Sequence, residues 1–220
     1  MLILKNKGYI QPFVDVSSDH PNFRSYQKIG ACGILKGKGM NVGWENKTLF
    51  YPENNLSKED LDFRLVGIVR NPMATLWSWK NAPNEFKKDW NFQTEWQNAN
   101  LKNQGLEENF YGYLKWKEVA SLFDMLKMEY WDRVTLINYS EFIKNPLKST
   151  YNMFWDLGLD LEPQTVKFIN DSNSENKGGA YSVYRNKDKD DDWVGRLPNE
   201  IVEHIIDDLT DTNLSKYLDI

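Results

Sequence analysis

Cysteine and histidine are nearly missing from this chain: Cys32 stands alone, with His20 and His204 as the two histidines. One cysteine excludes an internal disulfide, and the three residues together are too few for a zinc site, so a reducing, cytoplasmic setting is expected without a metal. Long apolar runs are missing as well. No stretch approaches the ~18 residues of a membrane span. The opening MLILKNKG offers four apolar residues before Lys5, too few for the core of a signal peptide. Excess positive charge is also absent. The formal net charge of −5 argues against a broad face for a nucleic-acid polymer, while leaving room for a local basic pocket holding one nucleotide. Internal repeats and low-complexity linkers are lacking, which points to a single domain over residues 1–220.

What is present suits a soluble domain with a real core: 40% hydrophobic and 27% charged residues, with nine Trp, eleven Tyr and eleven Phe. Four segments carry a periodic signal. Residues 62–70, DFRLVGIVR, hold a short apolar run that reads as a buried parallel strand. Residues 107–128 place Phe110, Tyr113, Leu114, Val119, Leu122, Phe123 and Leu126 at helical spacing. Residues 133–139, RVTLINY, read as a second buried strand. A helix opened by Pro146 follows, with Leu147, Tyr151, Phe154 and Trp155 as its inner face and Gly158 as its stop. Residues 198–209 form an amphipathic helix through Ile201, Val202, Ile205, Ile206 and Leu209. Strand–helix–strand alternation predicts an α/β fold in three layers, a central parallel sheet flanked by helices. The polar stretches 84–105 and 171–192 read as long loops. In the first fifty residues, Leu2-Ile3-Leu4 has the makings of a short strand, and the Gly- and Lys-rich run KIGACGILKGKGMNVG fits no element.

The chemistry concentrates in RLVGIVRNPMATLWSW, residues 64–79. A buried strand ends at Arg70, Asn71 is placed to cap the next helix, and Pro72 suits its first turn. Ligands of open α/β sheets collect beyond the carboxyl ends of the strands. A guanidinium beside a helix N-terminus there makes an anion site. Ser78, eight residues after Arg70, falls on the side of that helix shared with Asn71 and Thr75, where a hydroxyl can share a phosphate with the guanidinium. An ordinary surface ion pair is the other use of such an arginine.

IVRNPMATLWSW resembles the 3′-phosphate-binding segment of the sulfotransferase family, in which a strand is followed by Arg-[Asp/Asn]-Pro and a Ser eight residues after the Arg. RVTLINYSEFIKNPLKSTYNMFWDLGLDL resembles the next landmark of that family, a strand, Tyr-Glu-Asp-Leu, an Asp-Pro helix and a Leu-Gly-Leu stop, with Ser140 and Glu141 in place of the Glu-Asp pair. Arg185 and Lys187 before Trp193 resemble its late basic loop. The resemblance spans residues 62–210. It implies a P-loop NTPase-like sulfotransferase fold, with 3′-phosphoadenosine 5′-phosphosulfate as co-substrate. Arg70 and Ser78 would hold the 3′-phosphate, Tyr139 would lie near the adenine, and Arg185 and Lys187 would close over the phosphate.

The family's first loop, roughly Pro-[Lys/Arg]-Ser-Gly-Thr-Thr around the 5′-phosphosulfate, has no clear counterpart. The nearest match by position is Leu4-Lys5-Asn6-Lys7-Gly8-Tyr9, which makes Lys5 the candidate at the bridging oxygen and Lys7 and Gly8 candidate phosphate contacts. Gly30 to Gly39 is the rival, as an amide-rich nest with two Lys or as a flexible turn. For the general base, Glu45 falls in the window the resemblance implies, with Glu53 later and His20 as the alternative histidine. Trp77, Trp79, Trp90 and Trp96 lie among Asn, Gln and Lys; they suit either a sugar or aromatic acceptor surface or a small satellite core. The expected activity is sulfuryl transfer to a hydroxyl or amine of a small-molecule, carbohydrate or peptide acceptor, by a monomer or a homodimer. The alternatives are an inactive nucleotide-binding homologue and an ATP-using transferase or kinase; the last lacks a G-x-x-x-x-G-K-[ST] loop.

Overall fold

Two five-residue strands set the frame of the fold. A computed structural model describes residues 64–105, 111–174 and 189–219, together with two short strands earlier in the chain, β1 (Met40–Asn41) and β2 (Leu49–Phe50), which pair antiparallel. Strand β3 (Leu65–Val69) runs parallel to β4 (Val134–Asn138), in register from Leu65↔Val134 to Val69↔Asn138. The described part of the chain is thus mixed helix and strand, with eight α-helices around this parallel pair. Leu65, Gly67 and Val69 alternate onto the buried side of β3, as a period of two demands.

Helix α1 (Pro72–Lys80) begins two residues after β3. Asn71 caps it, its side-chain oxygen accepting from the backbone N–H of Met73 (2.8 Å) and Ala74 (3.2 Å), and Pro72 sits in the first turn where a missing N–H costs nothing. The stretch read as a loop from residue 84 contains two short helices, α2 (Phe92–Glu95) and α3 (Asn100–Asn103). It is stitched to the start of α4 (Tyr113–Glu129): the carbonyls of Trp96 and Gln97 accept the first helical N–H groups, from Tyr113 and Leu114. Gly112 is required at that junction. Its φ is +86°, and a Cβ there would lie 2.8 Å from the Gln97 carbonyl oxygen.

Helix α4 lies against the strands through Phe123. A Cβ on Gly67 would approach Leu136 to 2.8 Å and Phe123 to 3.3 Å, so glycine in mid-strand admits the helix. After β4 the chain turns at once into α5 (Tyr139–Lys144), so Tyr139 opens a helix rather than closing a strand. Helix α6 (Pro146–Asp156) ends as expected at Gly158: its φ is +68°, with Leu159 N–H on the Phe154 carbonyl and Gly158 N–H on that of Trp155. Its inner face differs from the expectation. Thr150, Met153 and Phe154 are buried, whereas Leu147, Tyr151 and Trp155 form an exposed stripe. The expected inner face thus holds for Phe154 and fails for Leu147, Tyr151 and Trp155.

Helix α7 (Pro163–Ser174) is missed by the sequence reading, which placed a loop from residue 171; its polar surface hides the two inward residues, Thr165 and Ile169. Helix α8 (Asn199–Leu209) buries Ile201, Ile205 and Leu209 and packs on α1. A 3₁₀ turn, Asn213–Tyr217, then returns the chain to α4, with Leu214, Tyr217 and Leu218 buried.

Candidate functional site

Because β3 and β4 are parallel and paired to their last residues, the positions that follow, Arg70 and Tyr139, emerge side by side at the carboxyl edge. The Arg70 guanidinium carbon lies 5.2 Å from the centroid of the Tyr139 ring, a cation–π contact. Two of the residues singled out in the sequence, 69 positions apart, are therefore brought together by strand register. The backbone of Arg70 is fixed as well: Trp116 of α4 donates its indole N–H to the Arg70 carbonyl at 2.9 Å.

The guanidinium fork is engaged by a carboxylate. Arg70 donates Nε–H to Asp190 Oδ2 (2.7 Å) and Nη2–H to Asp190 Oδ1 (2.6 Å), a bidentate pair. The Asp190 side chain is 3% exposed and that of Arg70 28%. Burial works against the Arg70 charge, but the hydrogen bonds and charge of Asp190 outweigh it and hold the guanidinium above its ordinary range. Asp190 is in turn placed by Trp193, whose indole N–H donates to the Asp190 carbonyl at 3.1 Å.

The amides at the start of α1 are not available to an anion in the way the sequence suggested. Asn71 fills them with its own side chain, and its amide nitrogen donates to the carbonyl of Leu218. The C-terminal residues thereby cover part of this edge. Asn138 caps α5 through Ser140 N–H (2.9 Å), and the Ser140 hydroxyl donates to Asp219. Two of the first N–H groups of α1 are thus already taken by Asn71.

Ser78 is exposed on α1, almost two turns beyond Asn71. Among the described residues no hydrogen bond joins it to Arg70. Lys5, Lys7, Gly8, His20, Glu45, Glu53, Arg185, Lys187 and the run from Gly30 to Gly39 lie outside the described residues. The tryptophans late in α1 and beyond it pack mainly on other rings: Trp79 meets Phe86 at 5.1 Å and Tyr111 at 5.5 Å, Phe86 meets Trp90 at 5.6 Å, and Trp96 stacks on Tyr113 at 5.9 Å. These rings join the main hydrophobic core or pack against it, rather than forming a separate satellite core.

Asp190, Trp116 and Trp193 are the site residues that sequence reasoning missed. The cue for Asp190 was faint, an acidic run directly after the basic loop. An open depression of about 530 Å³ lies along α7, lined by Leu161, Pro163, Val166, Lys167, Asn170 and Asp171, and includes none of the candidate residues. Among the described residues no group of His, Cys, Asp and Glu is arranged to hold a metal, and no helix is long and apolar enough to cross a membrane. Scans against family models, curated proteins and solved structures each return no match.

Proposed function

We propose that the chain is a sulfotransferase of the 3′-phosphoadenosine 5′-phosphosulfate-dependent type, with the three-layer, P-loop NTPase-like fold that this implies. The observation that carries the reading is the pairing of Arg70 and Tyr139 at the ends of adjacent parallel strands, guanidinium over ring at 5.2 Å. A planar fork suits a phosphate and a neighbouring ring suits an adenine. The fork's present engagement with a carboxylate supports its fitness for a bidentate oxyanion.

In this reading Arg70 grips the 3′-phosphate, Tyr139 lies against the base, and Ser78, Arg185 and Lys187 complete the grip. The donor supplies an activated sulfuryl group, transferred in line to an acceptor hydroxyl or amine as its bond to the 5′-phosphate breaks. A lysine near the departing oxygen offsets the charge that develops there; Lys5 is the candidate, with Lys7 and Gly8 on the phosphate. Glu45, or His20, takes the acceptor's proton. The acceptor is a small molecule, a carbohydrate or a peptide.

Calorimetric titration with 3′-phosphoadenosine 5′-phosphate and with ATP tests the reading. The 3′-phosphorylated ligand should bind in preference, and Arg70→Ala should abolish the preference. Equal binding of both, or of neither, refutes it. Sulfate transfer from labelled donor then separates an enzyme from an inactive nucleotide-binding homologue.

A further inference from the structure

We infer that Asp190 is an internal occupant of the phosphate site, so that a nucleotide engages Arg70 only by displacing the turn that carries Asp190. The inference rests on the proposed function and concerns the regulation of that same site.

Three observations converge. The first is shape. A carboxylate presents two oxygens to a guanidinium edge much as a phosphate does, and Asp190 takes the Nε–Nη2 edge at 2.7 and 2.6 Å. The second is charge. Asp190 cancels the single positive charge of Arg70, and Asp191 and Asp192 follow directly in the chain. A phosphate brought to this pair as it stands finds the Arg70 charge already balanced and its fork filled, and a second anion beside a buried carboxylate is repelled. Displacement of Asp190 restores the cation. The third is the way the turn is held. From Asp190 to Arg196 it is tied by Trp193 N–H on the Asp190 carbonyl and by the backbone bonds Val194 to Asp191 and Arg196 to Trp193. Gly195 sits within it at φ +69°, and the fixed point beyond is buried Leu197, ahead of α8. A short turn with a left-handed glycine next to a buried anchor can swing without disturbing the helix.

The closed pair therefore acts as a tax on affinity, since only molecules with the fork open are competent to bind. A turn closed about nine-tenths of the time would weaken apparent binding about tenfold, and removing the Asp190 charge would recover up to that factor.

The test uses the full chain and 3′-phosphoadenosine 5′-phosphate. Calorimetry should show Asp190→Asn binding several-fold, up to about tenfold, tighter than the parent, with Arg70→Ala failing to bind. In the parent, the ligand should speed hydrogen exchange at the amides of Val194 and Arg196, which the turn bonds to Asp191 and Trp193, a measurement that needs no variant to fold. Both results are required. Equal or weaker binding by Asp190→Asn, or unchanged or slower exchange on ligand addition, overturns the displacement while leaving Arg70 as the phosphate ligand. Absence of binding by parent and variants alike overturns the proposed function and the displacement together.

Discussion

Asn71 is the residue whose loss the fold should feel most for its size. It is 2% exposed and does two jobs: its side-chain oxygen caps α1, and its side-chain nitrogen holds the carbonyl of Leu218. Asn71→Ala removes both. The cap contributes about 1 kcal/mol, and a carbonyl left unpaired in a buried setting costs roughly 1–3 kcal/mol. The sum is about 2–4 kcal/mol. For a chain of this size a loss near 3 kcal/mol lowers the melting temperature by roughly 6–12 °C. Asn71→Ser separates the jobs, because a serine hydroxyl caps a helix but is too short to reach Leu218. It should recover about 1 kcal/mol relative to alanine. Urea titration followed by far-UV circular dichroism gives the ordering, read from midpoints at constant slope. Asn71→Ala within ~0.5 kcal/mol of the parent would refute the double role, since that is the ordinary scatter of surface substitutions. Serine as costly as alanine would refute the cap.

Neighbouring positions on α6 test its inner face, kept at Phe154 and corrected at Trp155: Phe154→Ala, fully buried, should cost about 3–5 kcal/mol, while Trp155→Ala, 74% exposed, should stay within ~0.5 kcal/mol in the same urea titration. Gly67→Ala should cost roughly 1–3 kcal/mol by overpacking against Leu136 and Phe123; a thermal scan matching the parent would show that Leu136 yields freely. Alkaline melting curves report on Tyr113 and Tyr217, whose hydroxyls donate to Asp208 and Asp124. Burial is the main cause, and the hydrogen bonds to those carboxylates add to it; both phenols are raised above their ordinary value of 10.0. The folded chain then keeps protons that the unfolded chain releases, so this stability is whole below about pH 10 and lost as pH rises above it. The double variant Tyr113→Phe, Tyr217→Phe should lose less melting temperature than the parent between pH 9 and roughly pH 11; an equal loss would contradict the assignment.

Local signals were legible where one residue type had one physical use. The apolar run before Arg70, the cap–proline pair at Asn71-Pro72, the glycine stop at Gly158 and the Ile201–Ile205–Leu209 stripe all appear as read. Helix α6 shows where that logic ends. The face expected from the sequence is right at Phe154 and wrong at Leu147, Tyr151 and Trp155; the buried set Thr150, Met153 and Phe154 is turned by about one residue's rotation, and only the surface the helix meets chooses between them. The polar helix α7 shows a second limit, since a helix that buries only Thr165 and Ile169 has little periodicity to reveal.

The amino-acid order alone determined that Arg70 and Tyr139 each fall at the carboxyl end of a strand, because β-branched runs and the helix starts behind them are local properties of the chain; that Tyr139 already belongs to the helix came from the structure. Which groups stand beside that guanidinium was decided in three dimensions. Strand register brought Tyr139 to it, and the fold brought Asp190, 120 positions away, into its fork. Such pairings depend on distances between parts of the chain that no local pattern encodes. An aspartate in an acidic run carries no mark that it will be buried until its partner is in place.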